Sequence, residues 1–355
     1  MKLVTVIGNR PQFIKAAAVS GPLRAEHDEL LVHTGQHYDD ELSTIFIEEL
    51  GMPRPEVELE ISGGSNSEQT ARMIAALAPL LAEQRPDAVL VYGDTNSTLA
   101  GALTAAQANI PVVHVEAGMR SFDRTMPEEL NRVLTDHCSE LLLCPSQVAL
   151  ANLQNEGLGA RAMLVGDVMV DVAELMRPRA AANAAALEAA GVEAGEYLLA
   201  TAHRAANVDD PARLALLVEL LLAVPGPVVL PLHPRTRARL EAASLLTALK
   251  DGGVRILPPL GYLDFTALLL SARAVLTDSG GAQKEAYLAG VQCVTMRDTT
   301  EWTETVHSGW NSLVDLDGAA AIAALELAPS GERPDCYGDG HAADAVVAAI
   351  SSLAA

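Results

Sequence analysis

The feature that most constrains the fold is a rhythm along the 355 residues: short apolar runs rich in Val, Ile and Leu alternate with longer Ala-rich stretches of helical length. Strands separated by helices pair in parallel, because the chain has to cross back before each new strand. Most positions in these runs are apolar, which predicts strands buried on both faces. The clearest predicted strands are Leu3–Ile7, Leu30–His33, Ala88–Tyr92, Val112–Val115, Leu141–Cys144, Met163–Val165, Tyr197–Thr201, Val228–Pro231, Val254–Leu257, Ala274–Thr277 and Gln292–Thr295.

The number of strands predicts two domains. About seven strands precede residue 168 and about five follow it, whereas one open sheet rarely exceeds about ten strands. We expect an α/β chain with two Rossmann-like, doubly wound parallel-sheet domains, residues 1–168 and 169–340. The segment 341–355 reads as a helix that packs back on the first domain, and residues 177–195 read as one Ala-rich helix.

The charge of the chain excludes some classes of partner. Lys and Arg number 24 against 46 Asp and Glu, which gives a net charge of −22. We therefore expect no nucleic acid and no membrane surface as partner. An acidic chain that binds an acidic ligand has to concentrate its few cations locally, so Arg and Lys beside Gly-rich turns are candidate binding residues.

The cysteines and the hydropathy indicate a cytoplasmic protein. The four cysteines lack metal-site or disulfide spacing, so free thiols in a reducing cytosol are expected. The segment before Arg10 is strand-like and unlike a signal peptide. The most apolar window, residues 214–232, contains Glu219, Pro225 and Pro227, which favours a helix, a turn and a buried strand over a membrane span.

Candidate catalytic residues follow the strands of the first half, where ligands bind in parallel sheets. Asp94 and Glu116 follow two successive strands, so neighbouring strands would place both carboxylates about 5 Å apart at one sheet edge. Glu128 and Glu129 open a predicted helix. Clustered carboxylates can have separated pKa values, which suits removal and return of a proton.

Simpler interpretations of these acids stay open. Thr95 can cap a helix, with Asp94 merely facing the helix dipole, and Glu128 and Glu129 can be ordinary charge at a helix start. Metal ligation by Asp94 and Glu116 lacks histidine partners at a suitable spacing. The turn after the first strand, Gly8 to Gln12, is not G-x-G-x-x-G, which disfavours a nicotinamide cofactor.

Candidate binding residues follow the strands of the second half. His203 comes directly after the Tyr197–Thr201 strand and can donate to a phosphate or protonate a leaving group. Ser279, Gly280 and Gly281 precede a helix, where exposed backbone N–H groups can hold an anion. Glu285, one turn further on, is placed to accept the hydroxyls of a ribose.

These residues lie in stretches that resemble the non-hydrolysing UDP-N-acetylglucosamine 2-epimerases. The resemblance covers roughly residues 3–315, with the matching stretches in the same order. They are GNRPQFIKAA from Gly8, TGQHYDD from Thr34, VYGDTNSTLAG from Val91, HVEAGMRS from His114, MPEELNR from Met126, TAHR from Thr201, PLHPRTR from Pro231 and DSGGAQKEA from Asp278.

The resemblance implies a fold, a reaction and roles for residues. The fold is of the glycosyltransferase-B type, with the nucleotide sugar in the cleft between two domains, and no nicotinamide or metal cofactor is needed. UDP is eliminated across C1–C2 to give a 2-acetamidoglucal and is then added back with the opposite C2 configuration. Homodimers are usual. The catalytic residues implied are Asp94, Glu116, Glu128 and His203, and the UDP-sugar contacts are Arg10, Lys15, His203, Phe265, Ser279, Gly280, Gly281 and Glu285.

Departures from the family pattern leave the substrate open. Trp302 and Thr303 stand where many members have an Arg-Pro pair, and Lys284 stands where a second Glu is common. The sequence around these positions is more similar to that of epimerases that act on UDP-2,3-diacetamido-2,3-dideoxyglucuronic acid, whose sugar is more anionic. Alternatives are therefore that epimerase, a hydrolysing epimerase, a glycosyltransferase of the same fold, or a non-catalytic UDP-sugar-binding module.

Overall fold

The computed structural model describes residues 1–36, 49–327, 329 and 333–353. Contacts along the backbone divide the chain into two compact units. Unit 1 comprises Met1–Leu175 and Asp335–Ala355, and unit 2 comprises Met176–Pro334. Both are α/β units built on an all-parallel sheet, so the fold class expected from sequence is confirmed.

Unit 1 has a seven-stranded sheet in the order β3-β2-β1-β4-β5-β6-β7. Its strands are β1 Lys2–Ile7, β2 Asp28–His33, β3 Val57–Glu58, β4 Ala88–Tyr92, β5 Val112–Val115, β6 Leu141–Cys144 and β7 Ala162–Leu164. Its helices are α1 Arg10–Glu26, α2 Asn66–Gln84, α3 Asn96–Gln107, α4 Pro127–Cys138, α5 Gln147–Asn155, α6 Val168–Ala181 and the C-terminal helix α16 Ala342–Ser352. Helix α6 continues into unit 2. A 3₁₀ turn covers Gly159–Arg161.

Both faces of this sheet are buried. Along β1, Leu3 and Ile7 pack in a core with α1 and α16, whereas Val4 and Val6 pack with α2 and α3. Asp171 accepts from the first backbone N–H groups of α16, and this caps a helix end that would otherwise carry unpaired donors. A strand apolar on both faces is the local sequence signature of this arrangement.

Unit 2 has a six-stranded sheet in the order β10-β9-β8-β11-β12-β13. Its strands are β8 Leu198–Thr201, β9 Val228–Pro231, β10 Arg255–Leu257, β11 Ala274–Thr277, β12 Gln292–Thr295 and β13 Asn311–Leu313. Its helices are α7 Ala184–Ala190, α8 Ala205–Val208, α9 Pro211–Ala223, α10 Pro234–Ala242, α11 Leu246–Asp251, α12 Tyr262–Ser271, α13 Gly280–Ala289, α14 Thr303–His307 and α15 Gly318–Glu326.

The strand orders fix where a ligand can bind. In unit 1 the chain winds outward from β1 to β3 and then restarts on the other side at β4; in unit 2 it restarts at β11 beside β8. At such a switch point the connections leave in opposite directions and open a crevice at the carboxyl ends of the two central strands. Each unit therefore has one crevice of this kind.

Some local predictions differ from the structure. The predicted helix 177–195 is wrong: α6 starts at Val168 and runs through Pro178, and a separate helix, α7, follows a break at 182–183. The short edge strands β3 and β13 were not predicted. Sequence analysis divides the chain at residue 168, and the contacts divide it between Leu175 and Met176. Within the described ranges, none of the helices has the length and apolar character needed to span a membrane.

Candidate active site

A glycine and a buried glutamine fix the backbone at the switch point of unit 1. Asn9 caps α1 by accepting from the Gln12 N–H at 3.3 Å. The Gln12 side chain accepts from the Gly8 N–H at 2.8 Å and donates to the Tyr92 carbonyl at 2.8 Å, which ties the end of β1 to the end of β4. A Cβ on Gly8 would lie 1.9 Å from the Ser97 hydroxyl oxygen, so only glycine fits there.

Glu116 directly follows β5 and has a left-handed backbone, with φ of +69°. A non-glycine residue in that region is strained, and such strain is concentrated at functional sites. The Glu116 carboxylate forms an ion pair with the Lys15 ammonium at 2.7 Å, and both side chains are more than nine-tenths buried. Glycine would relieve the strain but remove this carboxylate, so the position is consistent with a functional use of Glu116.

Asp94 follows β4, which pairs with β5, so the sequence-based expectation that the two acids end neighbouring strands holds. The Asp94 carboxylate lies 2.5 Å from Arg132 Nη2, and Arg132 Nη1 lies 3.1 Å from Glu129. Glu129 also accepts from the Ser121 N–H and hydroxyl and the Phe122 N–H. Arg132 therefore ties Asp94 to the loop that leads into α4.

Glu128 and Glu129 are adjacent in sequence and different in setting. Glu129 is 2% exposed and is fully occupied by the contacts just described. Glu128, in the first turn of α4, is exposed, and within the described part of the chain no hydrogen bond or ion pair engages its carboxylate. Of the two, Glu128 is the acid that remains available to a ligand.

Asp278 organises the switch point of unit 2. It follows β11, is fully buried, and accepts from the backbone N–H groups of His203 and Arg204 at 3.0 to 3.2 Å. Asn207 donates to the same carboxylate at 3.3 Å. The backbone after β8 is thereby fixed, while the His203 side chain stays 45% exposed, with Nδ1 3.9 Å from Asp278 Oδ1.

The turn after β11 leads into α13, whose N-terminus is the candidate anion site. Ser279 is the N-cap and accepts from the Ala282 N–H. A Cβ on Gly280 would lie 2.3 Å from the Glu301 carboxylate, so a side chain there would force this buried carboxylate to move. A Cβ on Gly281 would meet only the Ser279 hydroxyl, at 3.8 Å. Gly281 is exposed and leaves room for a ligand at the N–H groups.

Two buried cations lie behind this turn. Lys284 is 2% exposed and places its ammonium 4.0 Å from the centre of the Trp302 ring, a cation–π contact. Arg297 forms an ion pair with Glu301 at 3.0 Å, with both side chains 6% exposed. The two departures noted in the sequence, Lys284 and Trp302, thus contact each other, and Lys284 is not a surface lysine.

The remaining sequence-predicted residues have different settings. Arg10 is the first residue of α1 and Glu285 lies in the second turn of α13, and both are half-buried. Phe265 is 8% exposed and packs in the core of unit 2, with Leu268 and Val275 among its neighbours. In this structure Phe265 is a core residue of α12 and not an open stacking surface.

Sequence reasoning missed the residues that hold the acids and the histidine. Arg132 and Asp278 lie inside the motifs MPEELNR and DSGGAQKEA but were not selected. Their partners are 38 and 75 residues away in sequence. A buried charge in a helix or directly after a strand is the one local signal that would have indicated them, because a buried charge requires a partner.

Comparisons with known proteins identify the family. The sequence model described as UDP-N-acetylglucosamine 2-epimerase matches residues 23–351. A UDP-2,3-diacetamido-2,3-dideoxy-D-glucuronate 2-epimerase of Pseudomonas aeruginosa is 45% identical, over 99% of this chain and 100% of its own length. A UDP-N-acetylglucosamine 2-epimerase of Methanocaldococcus jannaschii is 40% identical, over 98% of both chains.

Solved structures agree with this result. The Methanocaldococcus jannaschii UDP-GlcNAc 2-epimerase in complex with UDP-GlcNAc and UDP aligns with a TM-score of 0.94 and 39% identity, over 99% of this chain and 100% of that one. The UDP-GlcNAc-bound epimerase of Neisseria meningitidis aligns with a TM-score of 0.88 and 29% identity. With matches of this length in both sequence and structure, the chain belongs to the UDP-N-acetylglucosamine 2-epimerase family.

Proposed function

We propose that this protein interconverts UDP-N-acetylglucosamine and UDP-N-acetylmannosamine, the reaction of a UDP-N-acetylglucosamine 2-epimerase. Removal of the C2 proton and departure of UDP from C1 give a 2-acetamidoglucal. UDP then adds back to C1 while a proton returns to the opposite face of C2. The observation that carries the proposal is the presence of two carboxylates, Asp94 and Glu116, at neighbouring strand ends of unit 1 in a chain of this family.

The chemistry explains why such residues are needed. The C2 proton is weakly acidic, so its removal requires a positioned base, for which Asp94, Glu116 and Glu128 are the proposed groups. The leaving diphosphate requires cations and N–H donors, for which we propose His203 and the N-terminus of α13.

The proposed substrate contacts are compatible with the pairing in the structure. Lys15 pairs with Glu116, but an ammonium has three N–H donors, so the ion pair leaves donors for a phosphate oxygen. Arg10, Ser279, Gly280, Gly281 and Glu285 stay proposed contacts. Phe265 is proposed to act from the core, by shaping α12, because little of its ring is exposed.

Turnover in deuterated water, followed by NMR, tests the reaction. We expect deuterium at C2 of both nucleotide sugars, since the proton returned comes from solvent; turnover without deuterium at C2 refutes elimination and re-addition. Asp94→Asn should retain UDP affinity and lose turnover. The matched control is Asp87→Asn, because exposed Asp87 precedes the same strand and accepts only from the Lys2 N–H in the described structure. Equal losses in both variants contradict a catalytic role of Asp94.

A second candidate substrate is UDP-2,3-diacetamido-2,3-dideoxyglucuronic acid, with the same chemistry. Two observations favour it: the 45% identity to the Pseudomonas aeruginosa enzyme and the buried Lys284 beside the α13 turn. An added cation near the diphosphate site favours a sugar that carries its own carboxylate. The cation–π contact with Trp302 fixes the position of the Lys284 ammonium.

A side-by-side comparison of kcat/KM for the two nucleotide sugars decides between them. If the uronic acid is the substrate, Lys284→Met should lower kcat/KM for it about tenfold more than for UDP-N-acetylglucosamine, the equivalent of one weak ion pair. Lys250→Met, at an exposed lysine of α11, is the control and should change neither. Free UDP accumulating with turnover would instead indicate a hydrolysing epimerase.

Two further properties are proposals from the family resemblance. We propose a homodimer, which light scattering tests, and a cytoplasmic location, which cell fractionation tests. Transfer of the sugar to an added acceptor would instead support a glycosyltransferase.

A further inference from the structure

A buried histidine lies under the turn that carries Asp94. His114, on β5, is fully buried. Its Nε2 lies 2.7 Å from the Gly93 carbonyl oxygen and its Nδ1 lies 2.7 Å from Asp136 Oδ1. Gly93 directly precedes Asp94, and His114 precedes Glu116 by two residues on the same chain segment. The His114 imidazole thus contacts the backbone next to Asp94, and His114 itself lies two residues before Glu116 in the chain.

The hydrogen-bond partners of His114 determine which of its ring nitrogens must donate. A carbonyl oxygen can only accept, and so can an ionised carboxylate. Burial raises the pKa of Asp136, but the hydrogen bond from His114 and the charges of His114 and Arg120 outweigh it, so that pKa lies below its ordinary value. Asp136 is therefore ionised, and His114 has to donate from both ring nitrogens.

The charges around the ring balance. Arg120 Nη1 lies 2.7 Å from Asp136 Oδ2, and Arg120 Nη2 lies 2.7 Å from Glu156. Asp136 also accepts from the Gly118 N–H at 3.2 Å. Cys144, on the neighbouring strand β6, has its pKa raised to about 12 by burial and by Asp136, and so remains a neutral thiol. Glu156 is the second carboxylate of this cluster, and Arg120 bridges it to Asp136.

We propose that His114 is a positioning residue for the carboxylates of unit 1, holding the Gly93 peptide, and with it Asp94, in register with Glu116. Gly93 has φ of +63° and no side chain, so its backbone is held only by hydrogen bonds: its N–H donates to the Val115 carbonyl at 3.0 Å, and its carbonyl accepts from His114. His114 does not touch substrate, because it is fully buried. The inference rests on the proposed function, in which Asp94 and Glu116 act on one sugar.

Two amide substitutions separate the two hydrogen bonds of His114. Glutamine places its amide nitrogen near the position of Nε2 and keeps the donor to Gly93, whereas asparagine places it near Nδ1 and keeps the donor to Asp136. Each variant loses one buried hydrogen bond, so both should lower the urea midpoint similarly. His114→Asn should lower kcat on the order of 100-fold, the effect of a displacement of about 1 Å, and His114→Gln less than about tenfold. KM should change little in either.

The outcomes separate positioning from mere stability. Equal losses of kcat in the two variants, or a larger loss in His114→Gln, would overturn the proposal. If His114→Asn does not fold, His114→Gln decides alone: retention of kcat within about tenfold supports the proposal and a loss near 100-fold overturns it.

A measurement that needs no turnover keeps the inference distinct from the proposed function. The nitrogen-15 NMR signals of His114 in the wild-type protein should show both ring nitrogens protonated near neutral pH, whereas a single-proton tautomer overturns the donor arrangement. A wild-type protein that shows this signature but exchanges no deuterium at C2 would refute the proposed reaction and leave the His114 contact to Gly93 standing.

Discussion

Arg132→Lys tests whether one guanidinium holds Asp94 in place. Arg132 uses two different nitrogens, Nη2 for Asp94 at 2.5 Å and Nη1 for Glu129 at 3.1 Å. Lysine keeps the charge but offers one nitrogen at the end of a flexible chain, so it cannot reproduce the fork. One charged hydrogen bond should be lost, in a site where Arg132 and Glu129 are nearly fully buried.

The size of the effect follows from the burial. A hydrogen bond to a charged group contributes about 1.5–3 kcal/mol, so we expect the free energy of unfolding of unit 1 to fall by about 2 kcal/mol. Arg235→Lys is the control. Arg235 forms an ion pair with Asp209, but these side chains are 46% and 33% exposed, and exposed pairs contribute about 0.2–1 kcal/mol.

Urea unfolding followed by two probes measures the difference. The two tryptophans, Trp302 and Trp310, both lie in unit 2, so their fluorescence follows unit 2, whereas far-ultraviolet circular dichroism follows both units. Arg132→Lys should move the dichroism transition and also lower kcat with little change in KM. A loss of stability no larger than that of Arg235→Lys would refute the reasoning that Arg132 is a buried bridge.

Three further predictions concern packing, pH and thiols. Gly8→Ala should cost at least about 1–3 kcal/mol, because its Cβ would overlap a buried Ser97–Thr34 hydroxyl pair, whereas Gly21→Ala, with no atom within 4 Å on α1, should be neutral or stabilising; urea midpoints compare them. The low pKa of Asp136 stabilises unit 1 above its ordinary unfolded value of about 3.9, and that stability should be lost as pH falls through the lower folded pKa; Asp136→Asn should flatten this acid limb, and an unchanged limb would count against it. Burial raises the pKa of Cys144 and Cys293 to about 12, so in a thiol-labelling assay both should react only after unfolding, and native labelling of either would contradict their burial.

The sheets could be predicted because their signal is local. A run such as Leu3–Ile7 is apolar at every position except Thr5, which is typical of a strand buried on both faces. The two missed strands are edge strands of two and three residues, Val57–Glu58 and Asn311–Leu313, and they carry too few positions for any pattern. Helix 177–195 was wrong because Pro178 was taken as a start signal, although here it lies within the helix.

The candidate site could be predicted only in part, because strand ends carry a local signal and contacts between distant residues do not. The prediction that Asp94 and Glu116 end neighbouring strands is confirmed, because strand ends meet at one edge of a parallel sheet, which is a rule of topology; their catalytic role stays a proposal. The roles of Arg132, Asp278 and His114 depend on partners brought from distant sequence, which no local pattern reports. Phe265, which the resemblance implies as a contact near the ligand, packs in the core of unit 2, and its burial too depends on residues distant in sequence.

The pairing of acids with cations reconciles a net charge of −22 with the anionic nucleotide sugar that we propose as substrate. At the strand ends of unit 1, Asp94 pairs with Arg132 and Glu116 with Lys15, and the buried Asp136 of α4 pairs with Arg120. Carboxylates left unpaired beside a diphosphate would repel it, and buried unpaired ones would also destabilise the fold. Pairing Asp94 and Glu116 locally lets both carboxylates lie beside the proposed sugar without a strong repulsive field, and this requires few cations if each is fixed. Most of the acidic excess then lies elsewhere on the chain, where water screens it.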